Sequence, residues 1–143
     1  MISYFDSSAI IKWFFDEPGS DLARSVKERT TVSFTSIIAL PEIISAFNRA
    51  FLENRCNRSE LEQIQSELMR IWPYFQKIKA SDSLVFHAGQ LVMRHNLRGF
   101  DSVHLASALL VKNNHDKDIF FSCFDNRLNR SASREDFITH YEK

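Results

Sequence analysis

The feature that most constrains the fold is an alternation of short apolar runs with stretches of helical periodicity along the whole chain. The apolar runs have the length of strands and are rich in β-branched and aromatic residues. Such an alternation is typical of a parallel sheet with helices on both faces. We therefore expect a single α/β domain over residues 1–143, with a central parallel sheet of about four to five strands. The strands are predicted at residues 2–5, 31–35, 75–78 and 119–124, with a last short candidate at 137–140.

Hydroxyl side chains next to apolar periodic stretches predict where helices begin. Ser7 or Ser8 is expected to cap a first helix that reaches Phe14. Ser59 and Glu62 have the spacing of a capping box, which predicts a helix over residues 59–75. The other helices are predicted at residues 21–29, capped by Ser20, and at 37–54, 82–95, from 101 onward and 126–133.

Charge and composition narrow the classes of protein. Lys plus Arg and Asp plus Glu balance at 18 each, so the net charge is zero. This balance argues against a protein that binds nucleic acid through bulk positive charge alone. Hydrophobic residues make up 44% of the chain, which argues against intrinsic disorder.

The cysteines indicate the redox environment of the protein, and the apolar segments indicate whether it carries a leader or a membrane helix. Cys56 and Cys123 stand far apart and belong to no CxxC motif, which favours free thiols in a reducing cytosol. The first residues lack a basic leader and a cleavage site, and no apolar run has the length of a membrane helix. The sequence predicts a soluble, cytoplasmic protein with no membrane partner.

Four acidic residues are placed where an α/β fold would gather them. Asp6 and Asp125 each follow an apolar strand-like run and precede a helix. Glu42 and Asp101 lie near helix starts, and they open onto the same edge of the sheet if those helices follow its strands. Ligands of α/β sheets bind beyond the carboxyl ends of the strands. We expect the four carboxylates to converge there.

Carboxylates brought together in a partly dry pocket repel one another, unless they take up protons or bind a cation. Hard oxygen ligands suit Mg²⁺ or Mn²⁺, whereas zinc prefers Cys and His, and the five histidines show no HExxH spacing. Any single Asp has an ordinary structural alternative, namely capping a helix. Capping accounts poorly for Glu42, which lies in an apolar stretch and needs a charged partner or a metal.

The chain resembles the PIN-domain family, and within it the VapC-like toxins of bacterial toxin–antitoxin pairs. The likeness runs over nearly the whole chain in four blocks in the family's order. The blocks are Asp6-Ser7-Ser8, Leu40-Pro41-Glu42-Ile43 followed by Arg49, Arg98 to Leu109 with the core Asp101-Ser102-Val103-His104-Leu105-Ala106, and Phe121 to Leu128 around Asp125.

The resemblance implies a Rossmann-like PIN fold and an endoribonuclease that uses Mg²⁺ or Mn²⁺. It implies that Asp6, Glu42, Asp101 and Asp125 bind the metal and carry catalysis. Ser8 would donate a hydrogen bond to the acidic cluster. The resemblance also implies a homodimer, an RNA substrate and a cognate antitoxin protein.

Four further residues bear on the site. His104, on the same helix as Asp101, is interpreted as a packing or helix-orienting residue rather than a catalyst. Cys123 stands where many relatives carry Thr or Ser. Arg127 and Arg130 follow Asp125 at near-helical spacing, and we predict that they contact RNA phosphates.

Two other functions fit parts of the pattern. A non-catalytic PIN-like module that binds RNA or protein would keep the fold without the chemistry. A haloacid-dehalogenase-like phosphatase would use Asp6 as a nucleophile, but such sites require Asp-x-Asp and position 8 is Ser.

Overall fold

A computed structural model describes residues 1–141, so the last two residues of the predicted domain lie outside the described part. This part of the chain contains four strands and seven α-helices. The strands are β1 (Ile2–Phe5), β2 (Val32–Ser36), β3 (Gln76–Ile78) and β4 (Ile119–Ser122). The helices are α1 (Ser7–Ile11), α2 (Ser20–Arg29), α3 (Ala39–Leu52), α4 (Arg58–Ile71), α5 (Asp82–His95), α6 (Gly99–Asn113) and α7 (Asn126–Arg134), and a 3₁₀ turn (Trp72–Tyr74) follows α4.

The four strands form one parallel sheet in the order β3-β2-β1-β4. Ile2 of β1 lies opposite Val32 on one side and Ile119 on the other. The first and last strands of the chain are therefore neighbours, with β1 between β2 and β4 and with β4 at one end of the strand order. The predicted α/β class and parallel sheet are confirmed.

Helices cover both faces because successive strand residues point in opposite directions. Tyr4 and Phe121 belong to a buried cluster with side chains of α5, α6 and α7. Phe5 and Phe120 belong to a second cluster with side chains of α1, α3 and α4. At about 25 cal/mol per Å² of apolar surface, burial on both faces supplies the main driving force for this layered arrangement.

The predicted strand at residues 137–140 is wrong. Only Ile138 pairs with β4, through one isolated parallel bridge to Phe120. Its N–H donates to the Ile119 carbonyl at 3.2 Å, and its carbonyl accepts from the Phe121 N–H at 2.8 Å. The apolar character that suggests a strand at this position comes in part from Phe137, whose side chain is buried in the cluster with Tyr4 and Phe121.

Two predicted helix starts are also wrong. The side chain of Asp6, rather than Ser7 or Ser8, caps α1 by accepting from the Ala9 N–H at 3.0 Å. Because α1 ends at Ile11, Phe14 lies outside it. The capping box of α4 is formed by Asn57 and Glu60, two residues before the predicted pair Ser59 and Glu62. In both cases the residue in extended conformation just before the helix provides the cap.

The start of α2 depends on a glycine instead of the predicted Ser20 cap. Gly19 has φ +93°, and a Cβ built there would lie 2.9 Å from a ring carbon of Phe124. Ser20 is the first residue of α2, and its hydroxyl donates to the Phe15 carbonyl at 2.6 Å. Among the described residues, no helix combines the length and the apolar character needed to cross a bilayer.

Candidate active site

Two of the predicted acids sit at adjacent strand ends. Asp6 directly follows β1 and caps α1, while Asp125 lies three residues after β4 and caps α7 by accepting from the Leu128 N–H at 2.9 Å. The Asp6 N–H donates to the Ser122 carbonyl at 3.1 Å, so the two chain segments are still paired where they leave the sheet. Both carboxylates therefore start from the same edge.

The other two acids come from the first turns of α3 and α6. Glu42 on α3 follows β2, as the sequence predicts. Asp101 on α6 arrives differently, because α6 follows α5 and no strand lies between them. The chain reverses at Asn96, which has φ +53° and ends α5, and this turn brings Asp101 to the edge where the other acids lie.

Burial dominates the electrostatics of Asp6, which is 4% exposed. Burial raises the pKa of its carboxyl to about 6, and the charge of Asp101 adds to this rise. His104, the Ser8 hydroxyl and the Ala9 N–H act in the opposite direction. Asp6 is therefore a carboxylate held in an environment that resists its negative charge.

Asp101 shares this environment. Burial raises its pKa, and the charges of Asp125 and then Glu42 raise it further, although His104 and Arg98 counter them. Asp101 is thus the acid that links the four, since its charge raises the pKa of Asp6 and the charges of Asp125 and Glu42 raise its own pKa. The structure brings the four into electrostatic contact.

The contact falls short of a closed ligand cage. Within residues 1–141, no group of three or more His, Cys, Asp and Glu side chains is arranged closely enough to hold a metal ion. The chemistry of the donor set nevertheless fits a hard divalent cation, since every donor is a carboxylate oxygen. Among the described residues, none of the four acids forms an ion pair with Lys or Arg that would cancel the repulsion.

Ser8 links Asp6 to the strand end beyond β4. Its hydroxyl donates to Oδ1 of Asp6 at 2.7 Å and accepts from the Phe124 N–H at 3.0 Å. With the Ala9 N–H on the same oxygen, Oδ1 has two donors, and Oδ2 is the oxygen left for a ligand. The residue two positions after Asp6 thus orients the acid.

Glu42 is held by residues that the sequence analysis did not assign to the site. Nε2 of His104 lies 2.8 Å from Oε1 of Glu42, and the Ser7 hydroxyl donates to the same oxygen at 2.5 Å. Nδ1 of His104 lies 2.8 Å from the hydroxyl of Tyr4. Burial alone would raise the pKa of Glu42, but the hydrogen bond and charge of His104, with the Ser7 bond, hold it below its usual value.

The direction of the His104 bond follows from these protonation states. A carboxyl with a lowered pKa is ionised at neutral pH and only accepts, so Nε2 of His104 carries the proton and donates. Tyr4 keeps its proton because burial raises its pKa well above the usual value, so its hydroxyl can donate to Nδ1 of His104 when that nitrogen carries no proton. A signal for Tyr4 exists in the sequence, because it lies two residues before Asp6 and shares its side of β1.

Cys123 lies behind the site instead of in it. Its side chain is fully buried, its thiol donates to the Asp125 carbonyl at 3.7 Å, and burial raises its pKa well above the usual value. The thiol therefore stays protonated and contacts backbone. A contact from this position to a substrate would require the loop before α7 to move.

The two predicted RNA-binding arginines have different surroundings. Arg127 donates to the Asn96 carbonyl at 3.3 Å, next to the turn that precedes α6. Arg130 lines a cavity of about 420 Å³ along α7, together with Arg134 and Tyr141. The cavity that contains Glu42 and Asp101 holds a different arginine, Arg98.

Comparison with known proteins identifies the family of this chain. The model of the PIN domain family matches residues 3–133. This chain belongs to the PIN-domain family. It is 33% identical over 129 residues to Ribonuclease VapC45 and to Ribonuclease VapC49, both from Mycobacterium tuberculosis, covering 90% of this chain and 88% of each relative.

Solved structures of low sequence identity share the fold. FitAcB from Neisseria gonorrhoeae superposes with a TM-score of 0.72 at 13% identity, covering 98% of this chain and 97% of that one. A toxin–antitoxin complex from Klebsiella pneumoniae gives 0.57 at 15% identity, covering 82% and 83%. The PIN fold is therefore retained where little sequence likeness remains.

Proposed function

We propose that this chain is an endoribonuclease that depends on Mg²⁺ or Mn²⁺ and acts as the toxin of a toxin–antitoxin pair. One observation supports the proposal: four carboxylates from remote parts of the sequence start from one sheet edge, where burial and the charges of neighbouring acids raise the pKa of Asp6 and Asp101. The likeness to two relatives named ribonucleases supports RNA as the substrate.

The proposed metal ligands are Asp6, Glu42, Asp101 and Asp125, with Asp6 and Asp101 at the centre. When bound, a divalent cation lowers the pKa of water and offsets negative charge on a phosphate. Asp6 and Asp101 are the central pair because their pKa values are raised by burial and by neighbouring acids, so they gain most from a cation.

The chain itself orients these oxygens. Ser8 and the Ala9 N–H hold Oδ1 of Asp6, while Ser7 and His104 hold Oε1 of Glu42. Each acid is thereby fixed in one rotamer with its second oxygen directed away from these donors. Outer hydrogen bonds of this kind are worth about 10- to 100-fold in metal affinity or activity.

Hydrolysis by water would leave a 5′-phosphate and a 3′-hydroxyl without using the 2′-hydroxyl as a nucleophile. The test is cleavage of single-stranded RNA by the purified protein in Mg²⁺, in Mn²⁺ and in EDTA, with the product ends determined. Asp6→Asn is expected to lower the rate roughly 100-fold or more, since it removes a charged ligand while an amide can still cap α1.

Asp82→Asn is the matched control, because Asp82 also lies in a helix first turn but on α5. It should cleave as the wild type does. Cleavage that persists in EDTA, or a 2′,3′-cyclic phosphate product, would overturn the proposed mechanism. Induced expression of wild type and Asp101→Asn, with mapping of cleaved ends, would identify the target RNA.

The proposed partners are a cognate antitoxin and a second copy of this chain, and the proposed location is the cytoplasm. The fold neighbour from Klebsiella pneumoniae, which is a toxin–antitoxin complex, supports the first. Cys56 and Cys123 are both free thiols, in agreement with a reducing compartment. Light scattering of the purified protein tests the homodimer, and co-purification with the product of the adjacent gene tests the antitoxin.

A further inference from the structure

An exposed aromatic ring stands beside the acids of the site. Phe100 precedes Asp101 in the first turn of α6, and 65% of it is exposed. Among residues 1–141 its ring has no stacked or edge-on aromatic partner and no cation above it. A large apolar side chain that is left in water next to charged residues gains free energy only when something covers it.

Phe100 separates two cavities that share Glu42. One, of about 530 Å³, is lined by Arg98, Asp101 and Val103 as well. The other, of about 420 Å³, is lined by Pro41, Ser45 and Arg49 among others. We refer to these two adjoining cavities, which share Phe100 and Glu42, as the groove; Asp101 lines only the larger of them.

The charges at the two ends of this groove are positive. Arg98 lies in one cavity and Arg49 in the other, both side chains are exposed, and neither forms an ion pair with any residue that the structure describes. The lining combines these two cations with apolar side chains, such as Ile38 and Val103, and with the acids proposed to bind the metal. Cations that flank an exposed ring are the pattern of single-stranded nucleic-acid sites.

We propose that Phe100 is a stacking platform for one base of single-stranded RNA next to the cleaved phosphate, with Arg98 and Arg49 contacting phosphates on either side. This inference rests on the proposed ribonuclease function and adds a residue that positions the substrate. A duplex keeps its bases stacked on one another, so only a single strand offers a free base face to the ring. The platform selects unpaired RNA segments without reading a particular base.

The test is binding of a fluorescein-labelled single-stranded RNA of mixed sequence, followed by anisotropy in Mg²⁺. All variants are made in an Asp125→Asn background, which slows cleavage, keeps a side-chain cap on α7 and leaves both cavities intact. Phe100→Leu keeps an apolar side chain but removes the flat ring. We expect its Kd to rise at least about fivefold, since base–aromatic stacking is worth about 1–3 kcal/mol. Phe100→Trp should bind at least as tightly as the parent.

Phe86→Leu is the matched control, because Phe86 is 73% exposed on α5 and lines neither cavity. Its Kd should equal that of the parent. Arg98→Gln should weaken binding and lower the slope of log K against log salt by about 1, whereas Phe100→Leu should leave that slope unchanged. Duplex RNA of the same length should bind Phe100→Leu and the parent equally.

An unchanged Kd for Phe100→Leu on single-stranded RNA would overturn the proposal and leave this surface to a protein partner. Equal weakening by Phe86→Leu, or equal weakening on duplex RNA, would overturn it as well. These outcomes are separate from failure of the ribonuclease itself. A wild type that binds RNA through Phe100 but cleaves none in Mg²⁺ or Mn²⁺ would refute the proposed activity and keep the platform.

Discussion

Two histidine–glutamate contacts of the same length have different surroundings. At the candidate site, Nε2 of His104 lies 2.8 Å from Oε1 of Glu42. Away from it, Nε2 of His95 at the end of α5 lies 2.8 Å from Oε1 of Glu135, just after α7. Both histidines are nearly buried, with side chains 2% and 5% exposed, and both glutamates are partly open to solvent.

The difference lies in what else each pair contacts. Glu135 also accepts from Arg94 at 3.0 Å, so its charge is neutralised by a cation. Glu42 has no Arg or Lys ion pair among the described residues, and its charge raises the pKa of Asp101. The His95–Glu135 pair is a complete interaction that joins α5 to the segment just after α7. The His104–Glu42 pair orients an acid whose charge is not neutralised by Arg or Lys among the described residues.

The two histidines also differ in the hydrogen bonds of their second ring nitrogen, Nδ1. Nδ1 of His104 is bonded to Tyr4, which fixes the ring on both sides. Nδ1 of His95 is buried and has no hydrogen-bond partner within residues 1–141. A histidine satisfied on both nitrogens holds its acid in one direction. This precision is needed where an oxygen must meet a ligand, and it is unnecessary where two helices are only tied together.

The largest expected effect is the loss of activity on replacing Glu42 but not Glu135. Glu42→Gln keeps the shape of the side chain and removes the charge proposed to bind the cation. We expect RNA cleavage to fall roughly 100-fold or more, because metal catalysis is worth several kcal/mol. Glu135→Gln, the control, should cleave at the wild-type rate. Equal rates for the two variants would show that Glu42, like Glu135, is only structural.

A smaller effect separates the two histidines. His104→Ala should weaken Mn²⁺ binding about 10- to 100-fold, measured by calorimetry, because it frees the carboxylate of Glu42 from its orientation. His104→Gln, whose amide can still donate to Glu42, should recover part of this affinity. His95→Ala should bind Mn²⁺ like the wild type, although both alanine variants lower thermal stability by about 1–3 kcal/mol. If His104→Ala left the Mn²⁺ affinity unchanged, His104 would not orient a metal ligand, and the His104–Glu42 pair would be structural like the His95–Glu135 pair.

The sequence allowed more of the fold to be predicted than of these contacts. All four strands and α5 with its Ser81 cap follow from local apolar runs and capping residues. The starts of α1 and α4 were misplaced because several neighbouring polar residues can cap a helix. Tertiary packing decides which one stands in extended conformation. The strand predicted at residues 137–140 is wrong for a similar reason: tertiary packing leaves only Ile138 paired with β4, and the local sequence does not show this.

The acids could be predicted because their order and spacing resemble a known family, whereas their orientation could not. The Tyr4–His104 bond joins residues 100 positions apart, and the His104–Glu42 bond joins residues 62 apart. Such bonds depend on side-chain geometry at the meeting of β1, α3 and α6. His104 was interpreted as a packing or helix-orienting residue, and nothing in the sequence indicates that it bonds to Glu42.

The smallest expected effect concerns thermal stability in metal-free buffer: Asp101→Asn and Glu135→Gln should change Tm in opposite directions. Burial and the charge of Asp125 raise the pKa of Asp101, so its ionised form destabilises the fold once the pH exceeds the usual carboxyl range. Asp101→Asn should therefore raise Tm slightly at pH 7. Hydrogen bonds from His95 and Arg94 outweigh burial and lower the pKa of Glu135, so its stabilisation is present above the usual carboxyl pKa and is lost as the pH falls through the lowered value.

Glu135→Gln should accordingly lower Tm at pH 7 and converge with the wild type in acid, as thermal unfolding followed by circular dichroism at several pH values would show. Asp101→Asn should also converge with the wild type in acid, but from above. Two variants that both lose stability at neutral pH would mean that Asp101 is as well compensated as Glu135. The proposed electrostatic contrast would then be wrong, whatever the activities of the variants: the charge of Asp101 would be compensated as well as that of Glu135 is by Arg94.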